Sequence, residues 1–339
     1  MRVAFDARVL ERPKLRDRGL GRYAAALLAA LPDVAPAGSE VTALRNLRRP
    51  PAPARSGDLW EQLLLARDVR RAGADLLHAP AIEHLSMRPG VPLVVTLHDL
   101  VPLKRPGYLR TGLAHRLRYG AVRRAARVIV PSQAVAADAE RLLGLDAARI
   151  AVVHEAPADA FAPVPSPRER LADLGLPERF LLWVGGLDPP DPRKRVPELV
   201  AAVAARDGLP LVLAGRTDLR SEGLAVRGRV VLAGHLNDER LAALYSAADA
   251  LVFPSDDEGF GLPPVEALAC GTPVAAYEVG ALPESVGGQA GVELVEPGNL
   301  GSLLDAAERL AGGPVGRPTR TWADVARETW AVYDAAVPR

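Results

Sequence analysis

Short apolar segments rich in Val, Leu and Ile alternate with alanine-rich amphipathic stretches along the whole of this 339-residue chain. That rhythm constrains the fold more than any single residue does. Strand then helix, repeated, predicts parallel sheets with helices on both faces, since parallel neighbours need a crossover between them. Strands are expected at 2–6, 40–44, 75–78, 92–98, 127–131 and 150–154. A second set is expected at 180–185, 209–214, 229–233, 250–254, 273–277 and 291–295. Helical patterns fall between them, as at Tyr23–Leu31, Trp60–Ala72, Arg116–Ala126 and Glu198–Ala205. In such sheets ligands are taken at the carboxyl ends of the strands.

At about 150 residues per domain the length suggests two domains. The stretch 155–177 interrupts the rhythm with Pro157, Pro163, Pro165, Pro167 and Pro177, and reads as the connector. The expected organisation is an α/β chain of two Rossmann-like, doubly wound domains, 1–160 and 161–320, facing each other across a cleft. A last helix, 321–339, carries Trp322, Val325, Ala326, Trp330 and Tyr333 at helical spacing and is expected to pack back across the junction.

Composition narrows the function. At 49% hydrophobic and 24% charged the chain is ordinary for a globular protein. It has no apolar run of ~18 residues, so no transmembrane helix is expected. Met1 runs directly into a strand pattern, so no leader is expected and a cytoplasmic location is the default. A single cysteine, Cys270, excludes an internal disulfide framework and a cysteine-based zinc site, and it reads as a small packing residue. The net charge of +1 conceals an asymmetry, with 25 Lys and Arg against 16 Asp and Glu in residues 1–160 and the reverse bias beyond. From Lys104 to Arg127 there is no acid, while Leu109, Leu113, Leu117 and Ala121 recur at helical spacing opposite arginines. Such a helix suits an anionic partner, either a phosphorylated acceptor or the inner face of a membrane, and equally a solvated face over the core. Nucleic acid is not expected, because aromatics make up 4% of the chain and no nucleic-acid module signature is present.

The most informative segment runs from Val252 to Pro273. A strand ends near Ser255, a glycine-rich turn follows, and Pro263 and Pro264 suit the first turn of a helix. The N–H groups of Gly259, Phe260, Gly261 and Leu262 would then surround a helix N-terminus, where anions bind. Glu258 lies in the turn and Glu266 about one helical turn inside the helix, bracketing the site with two carboxylates.

This Glu258-x7-Glu266 pattern resembles the signature of retaining glycosyltransferases of the GT-B fold, in glycosyltransferase family four. The resemblance spans nearly the whole chain. Asp6-Ala7-Arg8 with Gly19-Leu20-Gly21-Arg22-Tyr23 resembles the family's first strand and glycine loop. The segment from Val95 through His98-Asp99 to Leu103 resembles its mannosyltransferase-like branch. Val128–Ser132, Trp183–Gly186, Pro192-Arg193-Lys194, Leu241–Asp249 and Leu282-Pro283-Glu284 resemble further blocks in the same order.

The resemblance implies roles. Glu266 would bind the ribose hydroxyls, while Glu258 and the backbone of 259–262 would hold the donor sugar. Arg193 and Lys194 would neutralise the pyrophosphate, as fixed cations act where charge develops on a departing phosphate. Gly19, Gly21 and Gly186 would let backbone approach the nucleotide-sugar or the acceptor, and His98 would contact the donor sugar. No metal cofactor is expected. The donor would be a nucleoside-diphosphate hexose, GDP-mannose favoured and UDP-sugars open, and the acceptor a hydroxyl. The other histidines, His78, His84, His115, His154 and His235, read as structural.

The sequence departs from the family pattern in three places. Leu187 stands where many relatives carry Arg, the loop 188–192 is longer, and Glu155-Ala156 replaces an Asn-Gly. Two other functions share the fold expectation. A non-catalytic sugar-nucleotide-binding scaffold would be expected to lack Glu258 or the basic pair. A nicotinamide-dependent oxidoreductase would want a glycine where Ala24 follows Gly19-x-Gly21.

Overall fold

The computed structural model describes residues 1–12, 16, 19–45, 57–82, 89–104, 113–187, 191–217, 223–225 and 228–337, and the side chains of these except 57–63 and 113–117. The chain divides into two compact units, Met1–Glu155 with Trp322–Arg339, and Ala156–Thr321.

In the first unit β1 (Arg2–Asp6), β2 (Glu40–Leu44), β3 (Leu76–Ala79), β4 (Leu93–Thr96), β5 (Arg127–Val130) and β6 (Ile150–Val152) form one sheet. The order is β2-β1-β3-β4-β5-β6, and every pair is parallel. In the second, β7 (Leu181–Val184), β8 (Leu211–Ala214), β9 (Val230–Gly234), β10 (Ala250–Phe253), β11 (Val274–Tyr277) and β12 (Val292–Val295) form the other, in the order β12-β11-β10-β7-β8-β9. Both are doubly wound. Strand order reverses between β1 and β3 in one sheet and between β7 and β10 in the other, and crevices open at such switch points.

The sequence explains why the central strands are mostly apolar. Leu181 and Trp183 belong to one buried cluster of the second unit, and Leu182 and Val184 belong to another. Ala250 and Val252 divide from Leu251 and Phe253 in the same way. Alternate side chains point to opposite faces, and both faces are covered, so apolar residues dominate the central strands and a buried polar one such as His78 must be hydrogen-bonded.

Strand ends are tighter than the sequence suggests. β4 stops at Thr96, which leaves His98 and Asp99 in the loop beyond it. The expected glycine loop is a helix instead. Gly19 and Gly21 lie in the first turn of the helix Gly19–Ala30, and Gly21 is buried. Glycine is tolerated there because the first-turn N–H groups have no intrahelical partner to lose.

The helix Trp322–Ala336 belongs to the first unit, where Trp330 Nε1 donates to Leu31 O at 2.9 Å. The basic stretch is only partly described. Arg105, Leu109 and Arg110, and the side chains of Leu113, Arg116 and Leu117, lie outside the described residues. Ala121 is buried with Val122 and Ala125 in the core, so of the two readings of the stripe this position takes the one that faces the core. Lys104 pairs with Asp138 at 2.8 Å, and Arg123 Nε donates to Leu143 O at 2.7 Å. Among the described residues no helix is long and apolar enough to cross a membrane.

Candidate active site

Three loops at the carboxyl ends of β7, β10 and β11 converge at the switch point of the second sheet. The first carries Asp191–Arg195. Asp191 accepts from Arg193 N at 3.1 Å and from Arg193 Nε at 2.8 Å, which fixes a short turn over Pro192–Lys194. The second carries Asp256–Gly261 and is stitched to the first. Asp256 N donates to Arg193 O at 2.8 Å, Arg193 Nη1 donates to Asp257 O at 3.3 Å, and Arg195 Nη1 donates to Asp256 Oδ1 at 3.3 Å. Lys194 Nζ donates to Glu258 Oε1 in a short ion pair.

The third loop fixes Glu258 from behind. Ala281 N donates to Glu258 O at 3.0 Å, and Gly280 has φ +53°. A Cβ at Gly280 would stand 2.4 Å from Glu258 O and 2.8 Å from Glu258 N, so only glycine admits this approach. Gly261 is left-handed too, at φ +92°, and starts the helix Leu262–Ala269 with Pro263 and Pro264 in its first turn. The sequence expectation for this helix start stands. Glu266, one turn in, is buried and accepts from Tyr245 Oη at 3.0 Å. Tyr245 comes from the helix Asp238–Ala247; its place inside a family-like block was the only sequence signal for it.

Glu258 and Lys194 are largely withdrawn from solvent. Their side chains are 8% and 15% exposed and neutralise each other. Burial raises the carboxyl pKa of Glu258, but the charges of Lys194 and Arg193 and the hydrogen bond from Lys194 outweigh it and hold the group below its ordinary value. Arg193 and Lys194 lie against the loop of Asp257 and Glu258, and residues 188–190 lie outside the described residues. Gly186 is exposed beyond β7, and Leu187 is buried in the core, so no side chain there reaches a ligand. Cys270 is buried, and burial followed by the charge of Glu266 pushes its thiol up to about 12.

His98 lies in the first unit, past β4. Its Nδ1 faces Glu155 Oε1 at 3.2 Å, its Nε2 faces Pro80 O at 2.9 Å, and its ring meets Tyr23 edge to face at 4.6 Å. Beneath it runs a buried chain. Tyr23 Oη lies 3.0 Å from Thr96 Oγ1, which lies 2.9 Å from His78 Nε2, and His78 Nδ1 lies 2.7 Å from Tyr333 Oη. His78 is structural, as expected, and burial and then the charge of His98 push it down to about 3. Asp6 and Arg8 form a buried ion pair at the end of β1. Glu155 was noted in the sequence only as a departure, and nothing local in the sequence shows that it meets His98, 57 residues away.

Two doubly wound parallel sheets, one with a basic loop locked onto carboxylates at its switch point, define the GT-B class of glycosyltransferase folds. Residues 178–312 match the family described as Glycosyl transferases group 1, and residues 18–156 match Glycosyltransferase Family 4. The chain belongs to this family. It is 35% identical over 254 residues to the D-inositol 3-phosphate glycosyltransferases of Mycobacterium bovis and Mycobacterium tuberculosis, covering 67% of this chain and 51% of theirs. It thus spans about half the length of these relatives. Among solved structures it resembles sucrose-phosphate synthase from Thermosynechococcus elongatus, with a TM-score of 0.74, 24% identity, and 99% and 95% of the two chains covered. It also resembles HepE of Anabaena in complex with UDP and glucose, with a TM-score of 0.68, 21% identity, and 99% and 95% coverage.

Proposed function

We propose that this protein is a retaining glycosyltransferase that moves a hexosyl group from a nucleoside-diphosphate sugar to a hydroxyl acceptor. The observation that carries the reading is the Lys194–Glu258 pair in front of the helix Leu262–Ala269, with Arg193 beside it. An ammonium has three donors, so Lys194 can hold Glu258 and a phosphate oxygen together. The second unit takes the donor. Glu266 receives the ribose hydroxyls, Glu258 and residues 259–262 receive the sugar, and Arg193 and Lys194 receive the diphosphate.

In the transfer the bond between the anomeric carbon and the β-phosphate oxygen breaks. The acceptor oxygen attacks from the same face, and its proton passes to the departing phosphate oxygen. Charge grows on that phosphate, where the two fixed cations stand in a partly dehydrated site. No protein nucleophile is required. The first unit takes the acceptor, and its basic balance suits a phosphorylated one, in keeping with the inositol phosphate named in the relatives. An anionic membrane surface is the other partner that this balance suits. The His98-Asp99 block and Leu282-Pro283-Glu284 favour GDP-mannose as donor, while UDP-sugars are kept because HepE holds UDP and glucose.

A panel of GDP- and UDP-sugars scored by thermal shift and slow hydrolysis tests the reading, with inositol phosphates and anionic vesicles as acceptor arms. One donor should raise the melting temperature and be hydrolysed, and NMR of the product should show the donor's anomeric configuration. A panel with no shift and no hydrolysis overturns glycosyl transfer, and an inverted product overturns retention.

A further inference from the structure

The loop after β4 brings a histidine between two acceptors. Nε2 of His98 lies 2.9 Å from the carbonyl oxygen of Pro80, and a carbonyl can only accept, so Nε2 carries a proton. Nδ1 lies 3.2 Å from Oε1 of Glu155, an acceptor when ionised. Both ring nitrogens are satisfied by an imidazolium facing a carboxylate. We infer that Glu155 is a positioning residue for the transfer chemistry, holding His98 as a doubly protonated cation with its ring plane fixed.

The surroundings fit a charge at this position. Glu155 is buried, and the His98 side chain is 16% exposed, so the two charges attract through little water. Among the described residues, the groups facing the ring from other elements include Glu155 from the segment after β6, Tyr23 from the helix Gly19–Ala30, and His78 from β3, with Asp99 next along its own loop. His78 is held neutral by burial and by the charge of His98, so it does not compete for Glu155. Tyr23 is tied to Thr96 and presents its ring to His98. Glu155 is thus the counter-ion.

This rests on the glycosyltransferase reading for its consequence and on geometry alone for the charge. A cationic His98 gives the first unit a fixed positive group for a reaction that builds negative charge on a leaving phosphate. Because both ring protons are engaged within the unit, the ring acts through its charge and its fixed place. Glu155→Gln tests this, since the amide keeps the shape and can donate to a neutral Nδ1.

The full chain, labelled with nitrogen-15 at histidine, is titrated by NMR, and the His98 signal is assigned by its loss in His98→Gln. At pH 7 wild type should show both His98 nitrogens protonated, and Glu155→Gln should show one protonated nitrogen. With whichever sugar nucleotide the panel identifies, Glu155→Gln should lose roughly one order of magnitude in transfer at pH 8 relative to pH 6, as removal of one neighbouring charge implies. Glu155→Asp should restore much of that loss. A neutral His98 in wild type at pH 7, or a Glu155→Gln pH profile that superposes on wild type, overturns the proposal. The NMR result does not depend on turnover, so absence of any donor would sink the enzyme reading while leaving the charge state measured.

Discussion

The ammonium of Lys194 is shared between the carboxylate of Glu258 and the face of the Phe253 ring, whose centroid lies 4.8 Å away. Strand β10 supplies the ring, the turn after it supplies the carboxylate, and the loop after β7 supplies the cation. A cation over an aromatic face and against a carboxylate is held in place before any ligand arrives.

Lys194→Ala and Glu258→Ala should each cut transfer by about two orders of magnitude, equivalent to ~3 kcal/mol in the transition state. Because the pair is largely buried, each should also lower stability, by about 3 kcal/mol where the partner charge is left alone. Glu258→Gln keeps the shape and a hydrogen-bond acceptor for Lys194 but not the charge, so it should recover only part of the stability and little of the activity. Urea titration beside single-turnover donor hydrolysis separates the two effects. Wild-type turnover in either alanine variant would remove the pair from the site.

Gly280→Ala should act on Glu258 without touching its side chain. The new Cβ meets the backbone of Glu258 at 2.4 Å in a left-handed conformation, which costs a non-glycine residue roughly 1–2 kcal/mol before any clash. The expected outcome is a lower melting temperature together with a smaller thermal shift on adding donor. An unchanged donor-induced shift would show that the loop yields without moving Glu258.

Acid should destabilise the first unit through His78. Its folded pKa, about 3, is below the ordinary 6.5, so the unfolded chain binds the extra proton as pH falls between them. The stabilisation is complete above about pH 6.5 and drains away toward pH 3, by up to about 3 kcal/mol at pH 4. His78→Gln should flatten that part of the profile of stability against pH. An equal slope in the variant would place the acid sensitivity in another group.

Glu258 adds a second, lower step. Its pKa is held below the ordinary 4.5, so its contribution is present above pH 4.5 and disappears as pH falls through the folded value. The stability gap between wild type and Glu258→Gln should therefore be widest near pH 7 and shrink as pH falls below 4.5. Denaturant midpoints at both pH values measure it, and a gap that does not shrink would mean that the pair is not charged at neutral pH.

Donor hydrolysis should survive a strong chelator if, as proposed, Arg193 and Lys194 receive the diphosphate in place of a metal cation. Assay in EDTA, with and without added magnesium or manganese, checks this. Loss of hydrolysis restored by the metal would mean that the basic pair does not suffice.

The doubly wound architecture was legible because it is written in local periods. The central strands are apolar on both faces, amphipathic helical patterns fall between them, and these patterns placed β1 through β12 within a few residues of their observed ends. Glu258, Glu266 and the start of the helix between them were legible for the same reason, being set by a turn and two prolines within one segment. What the sequence left undecided depends on contacts between distant segments. The pairing of Lys194 with Glu258 is set by the adjacency of β7 and β10, and the seating of Gly280 against Glu258 by β11 beside them. The meeting of His98 with Glu155, and of His78 with Tyr333 across 255 residues of chain, has no periodic signal in the sequence. Glycines 19 and 21 show the limit from the other side, because a helix start and a glycine loop read alike until packing of the following helical face selects one. Local pattern fixes which element forms and which face it buries. Which charges then neutralise one another is decided only when parallel strands far apart in sequence are brought about 5 Å apart in a sheet.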